Sequence, residues 1–232
     1  MALPTPLERL LRPTRVFEEA TSPRVAAAVV LAVALLHAAS VVVAADAFLD
    51  VPGTVSVDNP NRPADWVCDD TTGVFDDTVG RGCSEPERVE RDLGEHAAST
   101  VSGYWPTALL GVLCGWPMLA WLVHLVVAPG RDGYVETLLD TAWAVVPLSL
   151  VAAARLVVVP ARVDGLGRPS SLDGAASEAL RLTFGTESTL LLVASVVAAA
   201  WSGYVAVGVA TRHDDSEREY DTTRERVLTT GG

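Results

Sequence analysis

The sequence contains no lysine, and its positive charge is carried by 17 arginines against 29 acidic residues. The formal net charge of the 232-residue chain is −12. A protein that binds nucleic acid needs a basic surface to neutralise phosphates, and this sequence has no basic run. The acidity therefore argues against nucleic acid as a partner. The same lysine-free, acidic composition is typical of proteins from salt-loving organisms.

The sequence also lacks the short motifs that carry common catalytic chemistry. It has no GxSxG, no HExxH, no phosphate-binding loop and no CxxC pattern. Its four histidines are scattered over apolar runs, a loop and the tail. We therefore predict a protein without enzymatic activity, with no catalytic residues, no cofactor and no metal.

Cysteine is scarce, with three residues in the chain. Cys68 and Cys83 share one polar loop that we place outside the cytoplasm, where disulfides persist. A disulfide closing a loop of this size contributes about 3 kcal/mol. Two free thiols are the alternative. A metal site is a further alternative, although the spacing fits neither a zinc ribbon nor an EF-hand; it would use Cys68, Asp69, Asp70, Asp76, Asp77 and Cys83.

Long apolar runs are abundant, and they decide the class of protein. A helix crosses the hydrocarbon core of a bilayer with about 20 apolar residues. Four runs are long enough and carry almost no charge: residues 25–45, 104–128, 138–159 and 188–211. They predict an all-α, polytopic membrane bundle of four transmembrane helices, with the lipid bilayer as its solvent. A cleaved signal peptide is an alternative for the first run, although its apolar core would be only about 7–15 residues long.

The placement of arginine predicts the orientation. Residues 1–24, an amphipathic lead, contain four arginines, whereas the loop 46–103 has a net charge of −9. The positive-inside rule then places the lead in the cytoplasm and the acidic loop outside the cell membrane. Four spans return the tail, residues 212–232, to the cytoplasmic side. The transmembrane domain is residues 25–211.

Small residues and prolines within the spans predict how the helices pack. Gly111 and Gly115 form a GxxxG pair, which lets two helix backbones approach closely. We expect this face to pack against another helix of the bundle and the opposite face, with Leu113, to meet lipid. Pro117 should kink the second span, and Pro147 interrupts the third.

Three of the ionisable residues in or beside the spans have specific expectations. His37 is expected to be satisfied by a hydrogen bond to Ser40 or to a neighbouring helix, and a proton or ligand role is the alternative. Arg155 lies about 6 Å from the end of the third span, so its side chain should reach the head groups. The alternative for Arg155 is binding of an anionic lipid head group or ligand. Asp140 should reach the opposite interface.

The two loops on the outer side should contain little regular structure. Prolines and a glycine break the start of the loop 46–103, and a helix becomes favourable within residues 85–102. In the loop 160–187, Ser171 can cap a short helix whose apolar side chains would rest on the bilayer.

Three segments together resemble the Yip family of integral membrane proteins. They are LLRPTRVFEEATSPR at residues 10–24, GYVETLLDTAWAVVPLSL at residues 133–150 and WSGYVAVGVATRH at residues 201–213. The first looks like that family's segment before the first span, the second like its Gly-turn and mid-membrane Pro, and the third like its aromatic–Gly–His exit from a late span. Yip proteins usually have five spans, so a four-span chain is a departure.

The resemblance implies a membrane scaffold or partner-binding protein and no catalytic residues. Eukaryotic Yip proteins are linked to Rab GTPases and vesicle traffic, a role that we do not transfer to a chain of prokaryotic character. The partners left open are other membrane proteins or a second copy of this chain. A small transporter or transporter accessory subunit is the alternative function. It would be expected to show polar groups at mid-depth on several helices.

Overall fold

A computed structural model describes residues 21–68, 82–127, 133–185 and 188–208. These ranges leave out residues 1–20 of the predicted amphipathic lead and the predicted cytoplasmic tail. They also leave out residues 69–81, which include four aspartates. The described chain is mostly helical. Its elements, in order, are α1 (Pro23–Asp46), a 3₁₀ turn (Ala47–Asp50), β1 (Thr54–Asp58), α2 (Asp65–Cys68), β2 (Arg88–Asp92), α3 (Leu93–Ser102), α4 (Trp105–Val127), α5 (Tyr134–Asp140), a 3₁₀ helix (Thr141–Leu148), α6 (Ser149–Val163), α7 (Leu172–Phe184) and α8 (Thr189–Gly208).

Four helical segments of the described chain are long and apolar enough to cross a membrane. They are Pro23–Asp50, Leu93–Val126, Tyr134–Val163 and Thr189–Gly208. Each contains most of one span predicted from the sequence, so the coarse prediction of a four-span helical membrane protein is confirmed. The second segment is longer than its apolar run because α3 leads into α4 through residues 103 and 104 alone.

The helix α1 is the central element of the bundle. It contacts α3, α4, α5, α6 and the 3₁₀ helix. Its buried residues recur three or four positions apart, which places them on one stripe of the helix: Ala26, Val30, Val33, Ala34, Ala38, Val41, Ala44 and Ala45. Because these side chains are small, neighbouring helices can lie close to α1.

The second span packs on α1 through its larger side chains, which corrects the prediction for its glycines. Val112 is buried with α1 residues, and Leu109, Leu113 and Trp116 lie against the same cluster. By contrast, a Cβ added at Gly111 or Gly115 would meet no atom of the described chain within 4 Å. The GxxxG face is therefore open, and Leu113, expected to meet lipid, faces the bundle.

The third span is not one continuous α-helix. Its middle, Thr141–Leu148, is a 3₁₀ helix that contains Pro147. Proline has no N–H to donate, so the regular α-helical ladder is already interrupted here. The ring N–H of Trp116 donates to the carbonyl of Leu138 at 2.9 Å, and the hydroxyl of Tyr134 donates to the carbonyl of Pro117 at 3.1 Å. These bonds tie the second and third spans together.

The loops 46–103 and 160–187 fold into one structure, which we call the cap: the 3₁₀ turn Ala47–Asp50, β1, β2, α3 and α7. Strands β1 and β2 form an antiparallel pair from Thr54↔Asp92 to Asp58↔Arg88. This pair corrects the expectation that the start of the loop 46–103 is irregular. The side chain of Asp92 then accepts the N–H of Glu95 and begins α3.

The helix α7 packs on protein rather than resting on the bilayer, which corrects a second expectation for the loops. Ser171 caps α7 as predicted, with its hydroxyl accepting the N–H of Gly174 at 3.1 Å. Ala175 and Ala179 are buried in a cluster with residues of α3 and of the 3₁₀ turn. The ends of α1 and α6 contribute to the same cluster through Val41 and Val159. The cap is therefore continuous with the bundle core.

Candidate functional site

A buried arginine lies where the spans meet the cap. Arg155 of α6 is only 6% exposed. Its Nε donates to the carbonyl of Thr183 at 3.1 Å, and its Nη1 donates to Ser40 Oγ at 2.7 Å. The guanidinium lies 5.2 Å from the centre of the Phe184 ring, a cation–π distance. The side chain therefore does not extend freely away from the protein, because α1 and α7 both provide partners for it.

His37 lies one helical turn before Ser40 on α1. Its Nε2 is 2.8 Å from the carbonyl of Leu148. A carbonyl oxygen only accepts, so Nε2 carries the proton and donates. Ser40 Oγ in turn donates to the backbone carbonyl of His37 at 2.8 Å while it accepts from Arg155. Ser40 thus links the histidine-bearing turn of α1 to the arginine of α6.

An open cleft of about 440 Å³ lies over these side chains. We call it the Arg155 cleft. It is lined by His37, Tyr104, Thr107, Ala108, Arg155, Leu180 and Phe184. The rings of Tyr104 and Phe184 have their centres 5.6 Å apart. The walls are largely apolar, and they come from α1, α6, α7 and the start of the second span.

The residues of the Arg155 cleft could bind a ligand next to a positive charge, but they do not resemble a catalytic centre. In the described ranges, no group of three or more His, Cys, Asp or Glu side chains could hold a metal ion. The cleft instead combines one cation, hydroxyl groups and apolar walls. Such a combination suits a ligand with an anionic head and an apolar body.

Comparison with known families agrees with this non-catalytic picture. The family model of the Yip1 domain matches residues 8–216, which is most of the chain. The chain belongs to the Yip1 domain family. The resemblance seen in three segments of the sequence is thereby confirmed. No curated protein and no solved structure matches the chain.

The Yip1 family consists of membrane proteins without enzymatic activity that interact with other proteins. The Yip1 match includes all four spans of the described chain and the cap between them. The coarse prediction of a helical membrane protein of this family is therefore confirmed by the match.

The remaining residues singled out in the sequence lie away from the Arg155 cleft. Cys68 and Cys83 are joined in a disulfide, with their Cα atoms 5.5 Å apart, at the far end of the β1–β2 pair. Gly111, Gly115 and Pro117 lie on α4, and Pro147 lies in the 3₁₀ helix. The alternative metal site cannot be assessed in full, since its four aspartates lie outside the described residues.

Asp140 is buried in the protein at the end of the bundle where the first span begins. It is 1% exposed, and its carboxylate accepts the backbone N–H of Thr21 at 3.0 Å. Thr21 lies immediately before Ser22, the N-cap of α1. Asp140 therefore ties the third span to the start of the first.

Sequence reasoning missed the partners of Arg155. Ser40 lies three residues after His37, so their shared helix face was a signal present in the sequence. The carbonyl of Thr183 and the ring of Phe184 had no such signal, because α7 was expected to lie on the bilayer. Only the packing of the cap on the bundle brings them to Arg155.

Proposed function

We propose that this Yip1-domain protein is a scaffold of the cell membrane that binds another membrane protein through the open face of α4. The open face consists of Gly111, Cys114, Gly115 and Met118, which are three or four residues apart and so share one side of the helix. Both termini lie in the cytoplasm in this proposal, and the cap lies on the opposite side.

The small buried share of the second span carries the proposal. Only 11% of its most apolar window is buried in the protein, against 56% for the third span. Met118 is 63% exposed, and both glycines meet open space where a side chain would be. Small residues on an exposed transmembrane face allow a second helix to approach within van der Waals contact. A helix of a partner protein would bury this face.

The alternative of a transporter is less well supported by the same residues. Midplane polar groups facing each other across several helices would favour transport. In the described chain, the Nε2 of His37 is held by Leu148 and two donors of Arg155 by Ser40 and Thr183. These bonds favour a structural or ligand-holding role over a moving ion path.

The test is affinity purification of the tagged full-length chain from its native membrane, followed by mass spectrometry. Gly115→Leu places a large side chain on the open face without a clash in the described chain. Leu110→Phe is the control, since Leu110 is also exposed but flanks that face. We expect a membrane protein that is enriched by the wild type and by Leu110→Phe and lost with Gly115→Leu. An untagged copy of this chain as the lost protein would identify self-association.

The proposal would be overturned by equal enrichment with Gly115→Leu and the wild type. It would also be overturned if no membrane protein were enriched over an unrelated tagged membrane protein. Thermal unfolding of both variants in detergent is the control for folding. If both unfold at the same temperature as the wild type, loss of the partner is not caused by a misfolded chain.

A further inference from the structure

The Arg155 guanidinium has more donors than the described protein uses. An arginine side chain carries five N–H groups. One N–H of Nε and one of Nη1 are bonded to Thr183 and Ser40, which leaves the second N–H of Nη1 and both of Nη2. No carboxylate within residues 21–68, 82–127, 133–185 or 188–208 forms an ion pair with it. A buried positive charge without a counter-charge is costly, especially at membrane depth.

The cleft above the guanidinium has the shape and the walls for a ligand that supplies this counter-charge. Tyr104 and Thr107, whose side chains carry hydroxyl groups, line the same cleft as Arg155, together with the apolar residues Ala108, Leu180 and Phe184. Phosphate oxygens accept several hydrogen bonds from arginine at once, which a point charge such as chloride does not match in geometry. The apolar walls are suited to a hydrocarbon chain.

The depth of the cleft also matches a lipid. Arg155 lies eight residues before the end of α6, about 12 Å along the helix axis. Tyr104 lies at the start of the second span, and Phe184 ends a helix of the cap. Tyrosine side chains concentrate at the level of lipid head groups.

We propose that the Arg155 cleft binds the phosphate group of an anionic phospholipid. The phosphate accepts hydrogen bonds from the free N–H groups of Arg155 and from the Tyr104 and Thr107 hydroxyls, and the acyl chains lie along Leu180 and Phe184. Inorganic phosphate has the same charged group as the lipid head. The test therefore compares the effects of phosphate alone, of the acyl chains alone and of the complete lipid. The bound lipid joins α1, α6 and α7 and so stabilises the contact of the cap with the spans.

The experiment measures thermal unfolding of the purified full-length protein in a neutral detergent after exchange of its native lipids. The probes are dioctanoyl phosphatidylglycerol, dioctanoylglycerol with the same tails and no phosphate, and inorganic phosphate. We expect phosphatidylglycerol to raise the unfolding temperature in a saturable way and dioctanoylglycerol to leave it unchanged. A full shift with inorganic phosphate alone would support the phosphate site and assign it to a free anion.

Two variants test the site itself. Arg155→Gln removes the charge, and apparent affinity for phosphatidylglycerol should fall about tenfold or more, the loss expected for charge-assisted hydrogen bonds. Because Arg155→Gln can also impair folding, Thr107→Trp is the second variant. Thr107 is exposed on the cleft wall, so its replacement fills the cleft and leaves the bonds of Arg155 in place. We expect Thr107→Trp to unfold at the wild-type temperature without lipid and to lose the lipid-dependent rise.

The proposal is overturned if dioctanoylglycerol gives the same rise as phosphatidylglycerol, or if both variants keep the full rise. Glu187→Gln provides the remaining control. Glu187 follows Phe184 by three residues in the sequence and lies outside the described ranges. No rise for the wild type together with a rise for Glu187→Gln would assign the counter-charge to that glutamate and reject the lipid.

Discussion

Ser40 shows how one small side chain can hold two helices together inside a membrane. Its hydroxyl donates to the backbone of its own helix and accepts from Arg155 of another. Water is absent from the interior of a bilayer, so a donor that loses its partner there finds no replacement. Ser40 therefore stabilises the protein mainly because it accepts the hydrogen bond of Arg155 Nη1, which would otherwise have no acceptor there.

We predict that Ser40→Ala lowers the free energy of unfolding by about 2 kcal/mol, since it leaves a charged N–H buried without an acceptor. The matched control is Ser99→Ala. Ser99 makes the same kind of bond, from its hydroxyl to the carbonyl three residues earlier, but it is exposed and has no arginine partner. Urea or thermal unfolding in detergent would measure both variants. Equal loss in the two would show that the Arg155 contact contributes nothing.

At the scale of elements, α3 packs closely against the 3₁₀ turn that follows the first span. A Cβ at Gly94 would lie 2.7 Å from the carbonyl oxygen of Phe48 and 2.9 Å from that of Val51. Both obstacles are backbone atoms, which cannot rotate away as a side chain can. Phe48 itself is fully buried in the cluster that α3 and α7 share.

We expect Gly94→Ala to destabilise the protein by about 1–3 kcal/mol, the usual effect of overpacking. Gly115→Ala serves as the control, since the added methyl would meet nothing within 4 Å. In a helix interior, alanine is favoured over glycine by up to about 1 kcal/mol, so the control should be neutral or slightly stabilising. The two variants are compared by thermal unfolding. If Gly94→Ala is as stable as Gly115→Ala, α3 does not approach the turn this closely.

The link between Cys68 and Cys83 belongs to the same scale, because it closes the loop beyond the β1–β2 pair. We predict that both thiols resist alkylation in the unreduced protein and react after reduction. Peptide mass mapping with isotopically distinct alkylating reagents would measure this. Alkylation of Cys68 or Cys83 in unreduced native protein would contradict the prediction. Loss of the link should cost about 3 kcal/mol at most.

For the whole molecule, we expect the two termini to share one side of the membrane and the cap to lie on the other, because an even number of spans returns the chain to its starting side. We predict that a maleimide that cannot cross membranes labels Asp58→Cys on intact cells and labels Thr14→Cys only after permeabilisation, both in a Cys114→Ser background. Asp58 is exposed on β1, so its access depends on the side of the membrane alone. The reverse pattern of labelling would place the termini outside.

The sequence by itself determined the class of this protein. The length and apolarity of four runs decide that helices cross a membrane, because a bilayer leaves no other way to satisfy the backbone of such a run. Three short segments also pointed to the right family. Both conclusions rest on local composition and order, which need no knowledge of how the helices meet.

Only the tertiary structure decided what the loops and the intramembrane polar residues do. The β1–β2 pair and the packing of α7 on α3 join segments that are far apart in the chain, so no local sequence pattern predicts them. The positions of Arg155 and Asp140 in one helix did not reveal their partners, which are Ser40 and Thr183 for Arg155 and the backbone of Thr21 for Asp140. The GxxxG pair predicted a face suited to close packing, but not which face of the second span contacts α1. That contact is made by the larger side chains on the opposite face, Val112, Leu113 and Trp116, so the glycines stay open.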